Sequence, residues 1–210
     1  MEMGYEHTRG VQSFMAEYVA GFKAVLDAPA LGGVDAIIAC LDNAYQHGQQ
    51  VFVAGNGGSA ATASHMACDL NKTVLGTGVA VPSRRLKVIS LVDNAPLMTA
   101  WANDVRYDAI FAEQLRNLAN PGDLLIVITA SGNSPNIVAA VAAAHDLGVM
   151  PCGLLGFDGG LVRRQLDHAV VVQSDNYGYI EDAHMMLTHL ITAYLKARYT
   201  SGLALVGAAR

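Results

Sequence analysis

The sequence of 210 residues contains few charged residues, few aromatic residues and few cysteines. Charged residues make up 15% of the chain, the formal net charge is -5, and lysine and arginine form no basic block. The phosphate-neutralising surface that nucleic-acid binding needs is therefore not expected. The three cysteines, Cys40, Cys68 and Cys152, are widely spaced and odd in number, which fits neither a disulfide framework nor a CxxC metal site. We expect them to be reduced and mostly buried.

Long hydrophobic runs are also absent. The longest apolar stretches, such as Leu124 to Ala130, are much shorter than the about 20 residues that a membrane-spanning helix needs. The N-terminal sequence MEMGYEHTRG has neither the basic start nor the apolar run of a signal peptide. The sequence therefore predicts a cytoplasmic protein without a membrane partner.

Hydrophobic residues make up 52% of the chain, enough for one domain over residues 1–210 to bury a core. Short apolar runs bounded by Gly, Pro or Asp are typical of buried parallel strands, and they occur at Gln50–Ala54, Leu86–Leu91, Leu124–Thr129, Cys152–Leu155 and His168–Val172. Helical spacing occurs at Ser59–Leu70, Asp108–Leu118, Asn136–Leu147 and Ile180–Tyr199. This alternation predicts an α/β fold with a central parallel sheet flanked by helices.

Two helical segments, near Val11–Leu26 and Val34–His47, precede the first strand and form an N-terminal part of residues 1–48, followed by the sheet and its helices in residues 49–210. The first segment has an apolar face large enough for a homo-oligomer interface, although core packing explains the spacing equally well. The glycine- and proline-containing stretch Val74–Ser83 is predicted to be a mobile loop.

Two strand-to-helix turns have the composition of ligand-binding loops. In Gly55-Asn56-Gly57-Gly58-Ser59, glycines allow close backbone approach and the following helix offers unpaired N–H groups, although a plain tight turn fits as well. Thr129-Ala130-Ser131-Gly132-Asn133-Ser134-Pro135 adds three hydroxyls before a helix. Two such turns in one sheet favour a phosphorylated ligand, whereas the missing P-loop lysine motif disfavours hydrolysis of a nucleotide triphosphate. No nucleotide cofactor is expected.

Two groups of titratable residues are candidates for acid-base chemistry. His65 and Asp69 share one face of the helix that follows the first glycine loop, and Glu181, His184 and His189 lie on the last long helix. Taken alone, the first group is better explained as a solvated polar pair. The second is better explained as a helix start capped by Asp175 or Asn176, with its histidines packed in the core.

Together, the segments GNGGSA (55–60), AWANDVRYD (100–108), SGNSPN (131–136), GFDGG (156–160) and EDAHMMLTH (181–189) resemble the phosphoheptose isomerases in order and spacing over nearly the whole chain. The resemblance implies a SIS (sugar isomerase) fold and a homotetramer whose active sites combine residues of neighbouring subunits. It also implies isomerisation of sedoheptulose 7-phosphate, or a related ketose phosphate, through an enediol-like intermediate.

The resemblance implies roles for particular residues. The acid-base pair matches Asp69 and His189, where Asp69 is one methylene shorter than the family's glutamate. The substrate contacts match Asn56, Gly57, Ser59, Asn103, Asp104, Thr129, Ser131, Ser134 and Glu181. The resemblance also allows one divalent cation, zinc, held by His65, Asp69, Glu181 and His189.

Two other functions remain open at this point. Some relatives keep the fold but serve as catalytically silent adaptors that bind a bacterial replication initiator; the carboxylate at Asp69 and the imidazole at His189 favour an enzyme instead. Regulators that sense sugar phosphates usually carry a fused DNA-binding domain, for which this chain has no room.

Overall fold

The computed structural model describes residues 10–27, 32–75 and 84–207, with side chains up to residue 200. Its centre is a sheet of five strands in the order β2-β1-β3-β4-β5, with every neighbouring pair parallel. The strands are β1 (Gln50–Gly55), β2 (Lys87–Ser90), β3 (Leu124–Thr129), β4 (Met150–Gly156) and β5 (His168–Val172). The predicted α/β class with a parallel sheet is confirmed.

Seven α-helices surround the sheet in the described part of the chain. They are α1 (Val11–Leu26), α2 (Val34–His47), α3 (Gly58–Lys72), α4 (Ala95–Asp104), α5 (Ala112–Leu118), α6 (Pro135–Asp146) and α7 (Tyr177–Gly207). Among the described residues, no helix combines the length and hydrophobicity needed to cross a membrane.

Alternating strand residues face two separate hydrophobic cores, which is why the strands read as nearly continuous apolar runs. On one face, Val53 and Ile126 pack with residues of α2, α3 and α7. On the other face, Phe52 and Val127 pack with residues of α5 and α6. The result is a three-layer arrangement in which α3 and α7 lie on the same side of the sheet.

The direction in which successive strands are added to the sheet reverses between β1 and β3, because β2 lies on one side of β1 while β3, β4 and β5 follow on the other. In an open parallel sheet, such a reversal leaves a crevice outside the carboxyl ends of the two strands, and ligands bind there. Both predicted ligand loops start at this place, since one follows β1 and the other follows β3.

The sequence prediction is wrong between β2 and β3. The predicted helix Asp108–Leu118 is a 3₁₀ turn (Tyr107–Ala109) followed by the shorter α5, and α4 was not predicted. The Asn94 side chain caps α4 by accepting a hydrogen bond from the Leu97 N–H at 3.1 Å, and a proline occupies the first turn. Of the predicted loop Val74–Ser83, residues 76–83 lie outside the described residues, and Val74 belongs to a 3₁₀ turn.

The first helix, α1, packs against α7 through one edge only. Tyr18 donates a hydrogen bond to Asp182 at 2.9 Å, and its ring meets that of Tyr179 with the centroids 4.7 Å apart. Val11, Met15 and Val19 remain exposed, and no residue of α1 is buried. Part of the apolar face predicted for this helix is therefore exposed, whereas Tyr18 and Phe22 pack against Tyr179 of α7.

His184 lies fully buried on α7. Its Nε2 lies 3.0 Å from the carbonyl oxygen of Leu155, which can only accept, so Nε2 carries the proton of the neutral ring. Nδ1 is buried without a hydrogen-bond partner. Burial lowers the pKa of His184 from 6.5 to about 4, because a charged ring there would lose its hydration. The prediction that the histidines of this segment include a packed core residue holds for His184.

This pKa predicts a loss of stability in acid. Between pH about 6.5 and 4 the unfolded chain protonates His184 and the folded chain does not, so the unfolded state binds more protons and stability falls as the pH is lowered. The full effect is about 3 kcal/mol. Urea unfolding at pH 7.5 and pH 4.5 should show a smaller loss for His184→Gln than for the unsubstituted protein. An equal loss, or the same change in the exposed control His47→Gln, would contradict this assignment.

Candidate active site

The first loop joins β1 to α3 and depends on glycine. Gly57, the N-cap of α3, has φ 54° and ψ -122°, a conformation that side chains rarely adopt. At Gly58, a Cβ atom would lie 2.5 Å from each carboxylate oxygen of Glu181. The missing side chain thus lets α7 place the Glu181 carboxylate against the amino end of α3, where the helix dipole favours negative charge.

The second loop joins β3 to α6 and arranges hydroxyl groups. Thr129 Oγ1 accepts a hydrogen bond from the Gly132 N–H at 3.2 Å, and Ser131 Oγ accepts one from the Asn133 N–H at 3.3 Å. Each hydroxyl keeps its own O–H as a donor. Ser134 is the N-cap residue of α6 and makes no side-chain cap bond. The loop therefore presents hydroxyl donors beside the start of a helix, where the helix dipole favours negative charge, and this environment suits a phosphate.

The loop after β4 contains the segment Gly156 to Gly160. It packs against the second loop, residues Thr129 to Pro135, which we call the hydroxyl loop. Gly132 has φ +63°, and a Cβ atom there would overlap the carbonyl oxygen of Gly159; a Cβ on Gly160 would overlap the carbonyl oxygen of Ser131. The Val162 N–H donates to the Gly132 carbonyl at 3.1 Å. Glycine is required at both positions because the two backbones lie in direct contact.

These loops enclose a cavity of about 160 Å³ at the reversal between β1 and β3. Glu181 and Tyr177 contribute to it from α7. The full lining is Asn56, Ser59, Thr129, Ala130, Ser131, Ser134, Tyr177 and Glu181. Because the described residues of this lining include no lysine or arginine, they would hold a phosphate group through neutral donors and the start of α6.

Asn56 is fixed by two neighbours. Its amide and that of buried Asn136 exchange two hydrogen bonds of 2.8 Å, and the Tyr107 hydroxyl donates to Asn56 Oδ1 at 3.2 Å. Sequence reasoning did not single out Asn136, Tyr107 or Tyr177 as site residues. Asn136 and Tyr107 lie in the segments SGNSPN and AWANDVRYD, so the resemblance of these segments to the phosphoheptose isomerases could have pointed to both residues.

A second group of polar side chains lies further along α3 and α7. His65 Nε2 is 2.9 Å from His189 Nε2 and 3.4 Å from Asp69 Oδ2. The three side chains offer ligand or proton-carrying atoms within 4.8 Å of one another. Asp69 is held from its other oxygen, because Thr73 Oγ1 donates to Oδ1 at 2.9 Å. His65 and His189 are exposed, whereas Asp69 is half-buried.

The cavity and this histidine group share one seam between α3 and α7. Gly58 and Glu181 meet at the amino ends of the two helices, and His65 and His189 meet further along, so the helices run in parallel. At 1.5 Å per residue, His65 lies about 9 Å beyond Ser59 along its helix, and His189 lies about 12 Å beyond Glu181.

The structure brings most of the predicted site residues to this seam and its loops. It separates the predicted metal set, since Glu181 lines the cavity and does not belong to the group of His65, Asp69 and His189. Asn103 and Asp104 lie exposed at the end of α4, where Asn103 donates to Asp104 at 2.8 Å, and neither lines the cavity.

Comparison with known proteins places this arrangement in a family. Residues 14–156 match the family model of the SIS domain. The phosphoheptose isomerase of Pelobacter propionicus is 39% identical over 151 residues, which cover 72% of this chain and 77% of that protein. The phosphoheptose isomerase of Synechocystis is 31% identical over 188 residues, 90% of this chain and 94% of that protein.

Solved structures agree with the sequence comparison. A phosphoheptose isomerase from Francisella tularensis superimposes with a TM-score of 0.78 at 27% identity, covering 89% of this chain and 98% of the other. The phosphoheptose isomerase from Neisseria gonorrhoeae gives a TM-score of 0.75 at 28% identity, covering 90% and 100%. The chain belongs to the SIS-domain family and, within it, to the phosphoheptose isomerases.

Proposed function

We propose that the protein is an aldose-ketose isomerase that converts sedoheptulose 7-phosphate to D-glycero-D-manno-heptose 7-phosphate. The observation that carries the proposal is a cavity lined by hydroxyl groups at the strand reversal, with two imidazoles and a carboxylate further along the same helix seam. The names of the relatives favour this function over the adaptor alternative.

The cavity is assigned to the phosphate group. Thr129, Ser131 and Ser134 supply hydroxyl donors, and the start of α6 adds backbone N–H groups with a favourable dipole. Asn56 and Ser59 also line the cavity, and Glu181 is available to accept hydrogen bonds from sugar hydroxyls.

The histidine group is assigned to proton transfer. In a 7-phosphate of a seven-carbon ketose, the reacting carbons C1 and C2 are at the other end of the chain from the phosphate. This suits a separation of about 9–12 Å between the cavity and the histidines. A base removes a proton from C1 while the C2 carbonyl oxygen gains one; the enediol then loses its O1 proton, and C2 is protonated to give the aldose.

His189 is the proposed proton carrier, because its ring is exposed and therefore accessible to the sugar. Asp69 is the proposed positioning residue. One of its oxygens accepts from Thr73 and the other faces His65, so the short carboxylate is tied to neighbouring side chains instead of extending toward a substrate.

The chemistry of the histidine group fits a divalent cation. Two imidazole nitrogens and a carboxylate oxygen within 4.8 Å of one another form a mixed set of the kind that zinc accepts, with room for a further ligand. His65, Asp69 and His189 would hold the ion, and Glu181 would remain with the substrate. A bound zinc ion would supply polarisation of the sugar carbonyl.

We also infer a cytoplasmic homotetramer with active sites completed by neighbouring subunits. The exposed apolar side chains of α1 support an interface, because the core of the chain leaves them in solvent. Exposed Asn103 and Asp104 are then available to a neighbouring site. Light scattering of the purified protein should report four chains, and a fully active monomer would contradict shared sites.

The direct test of function is an assay of the purified protein with sedoheptulose 7-phosphate, with the product identified by NMR. A pentulose phosphate and a hexulose phosphate serve as shorter comparison substrates. Repeating the assay after chelation and after readdition of zinc tests the metal separately. Absence of turnover with every ketose phosphate, by protein that still binds phosphate, would overturn the isomerase assignment.

Ser131→Ala is expected to weaken binding of inorganic phosphate by about 1.5–3 kcal/mol, because a hydrogen bond to a charged acceptor is lost. Calorimetric titration measures the effect. Ser174→Ala is a matched control, since Ser174 Oγ also accepts from the backbone N–H two residues later, at 3.1 Å, but lies outside the cavity. Equal affinities in the two variants would place the phosphate elsewhere.

A further inference from the structure

A second cavity, of about 340 Å³, lies at the amino ends of the strands, at the opposite end from the candidate active site. It is formed where β3 and β4 begin, at Leu124 and Met150, and is closed by α2, which contributes Cys40 and Asn43. His168, the first residue of β5, completes one side. None of these residues has a role in the proposed isomerisation.

Two thiols meet beside this cavity. Cys152 is buried on β4, on the face that packs against α2, and its Sγ lies 4.0 Å from Sγ of half-buried Cys40. Met150, two residues earlier on the same strand, places its Sδ 3.5 Å from the Cys40 sulfur. The expectation of mostly buried thiols is thus wrong for two of the three cysteines, because Cys40 is half-buried and Cys68 is exposed.

The surroundings of the two sulfurs shift the pKa values of the two thiols in opposite directions. The thiol of Cys152 donates toward Cys40 and so lowers the pKa of Cys40 to about 7; burial and Asp167 oppose this change, and His168 assists it. The pKa of Cys152 is raised by the same interaction and by burial. Cys40 therefore has thiolate character and borders a cavity, while Cys152 is a protonated thiol behind it.

We propose that Cys40 and Cys152 form an oxidation site, at which hydrogen peroxide admitted through the cavity converts the two thiols to a disulfide between α2 and β4. The sulfurs are already in van der Waals contact, and the sulfur that would react first is the one that borders the cavity.

One molecule of hydrogen peroxide is enough to oxidise the two thiols to the disulfide. The Cys40 thiolate attacks one peroxide oxygen, the O–O bond breaks, and the departing hydroxide takes a proton to become water. Cys40 is then a sulfenic acid. The Cys152 sulfur attacks the Cys40 sulfur, the S–S bond forms, the S–O bond breaks, and the oxygen leaves as water with the Cys152 proton. Two thiols lose two electrons, and one hydrogen peroxide becomes two molecules of water.

The crosslink would join positions 112 residues apart in the sequence. A loop of this length strongly restricts the unfolded chain, so the oxidised protein should unfold at a higher temperature than the reduced protein.

The test is peroxide treatment of folded Cys68→Ser protein, in which only the two proposed thiols remain. Intact mass under non-reducing conditions should fall by two hydrogen atoms, and peptide mapping should recover a Cys40–Cys152 linked pair that a reductant releases. In Cys152→Ser on the same background, the reaction should stop at the Cys40 sulfenic acid, which dimedone traps. Cys40→Ser should acquire neither product.

The proposal fails if both thiols remain free after peroxide treatment, or if they react only when the protein is unfolded in guanidinium. Dimedone labelling of Cys152 in place of Cys40 would also overturn it. Because peptide mapping of the Cys68→Ser protein gives this answer alone, a folding defect in either cysteine variant does not remove the test.

Discussion

Replacement of His189 by alanine is expected to lower kcat for isomerisation by about 10²–10⁴-fold, the usual contribution of a positioned acid or base. The imidazole lies 2.9 Å from His65 on an exposed part of α7, and the buried neighbours Leu187 and Ile191 hold the helix in the core. The substitution should therefore leave the free energy of unfolding nearly unchanged. Steady-state rates and urea unfolding measure the two effects.

Two further measurements distinguish proton transfer from metal binding. Exchange of the substrate C1 proton with deuterated water should be lost in His189→Ala whether or not zinc content falls. His65→Ala removes the neighbouring imidazole and should lower zinc content together with activity if the group holds an ion. His47→Ala, on the exposed end of α2, controls for loss of a surface histidine. Near-normal turnover in His189→Ala would remove this residue from the mechanism.

Replacement of Gly132 by alanine is expected to destabilise the protein by more than about 4 kcal/mol, a loss that is exceptional for a single substitution and here arises from backbone strain combined with overlap. The residue has φ +63°, and its new Cβ would overlap the carbonyl oxygen of Gly159, which is backbone and cannot rotate away. Thermal and urea unfolding measure the change. Inorganic phosphate should also raise the unfolding midpoint of this variant less than that of the unsubstituted protein, because the hydroxyl loop would be displaced.

Gly48→Ala separates the cost of the left-handed backbone conformation from the cost of the overlap with the Gly159 carbonyl. Gly48 has φ +69° and ψ 24° at the end of α2, and among the described residues its added Cβ would approach only Lys87 Nζ, at 4.0 Å. Its cost should be the about 1–2 kcal/mol of a left-handed residue that carries a side chain. If Gly132→Ala costs no more than Gly48→Ala, the contact between the two loops does not constrain the hydroxyl loop.

The strands were predictable because parallel strands buried on both faces are continuous apolar runs, and the runs ending at Thr129 and Val172 match β3 and β5 to the residue. Helix α4 was missed because its apolar face is short: no residue of Ala95–Asp104 is fully buried, and the partly buried Met98, Trp101 and Ala102 that pack against the core span little more than one turn. Its start is encoded instead by the local cap at Asn94.

The sequence predicted the ligand loops of the site better than it predicted which titratable side chains lie together. Glycines and hydroxyls that directly follow strands carry a local signal, and the structure places Ser59, Thr129, Ser131 and Ser134 around one cavity. The separation of Glu181 from His65 and His189 depends on how α7 lies along α3, a long-range packing relation that no local pattern contains. The contact of Cys40 with Cys152 is equally non-local, since it joins a helix to a strand 112 residues later.

The placement of α7 beside α3 has a consequence for the order in which the protein matures during synthesis. All five strands and the hydroxyl loop precede residue 173, whereas Glu181 and His189 belong to the last helix. A chain still emerging from the ribosome could close its sheet and form the hydroxyl loop, but it would lack these two side chains and the cover that α7 gives to the α3 face of the sheet. The proposed proton carrier His189 therefore joins the site after the sheet has formed, with the docking of α7.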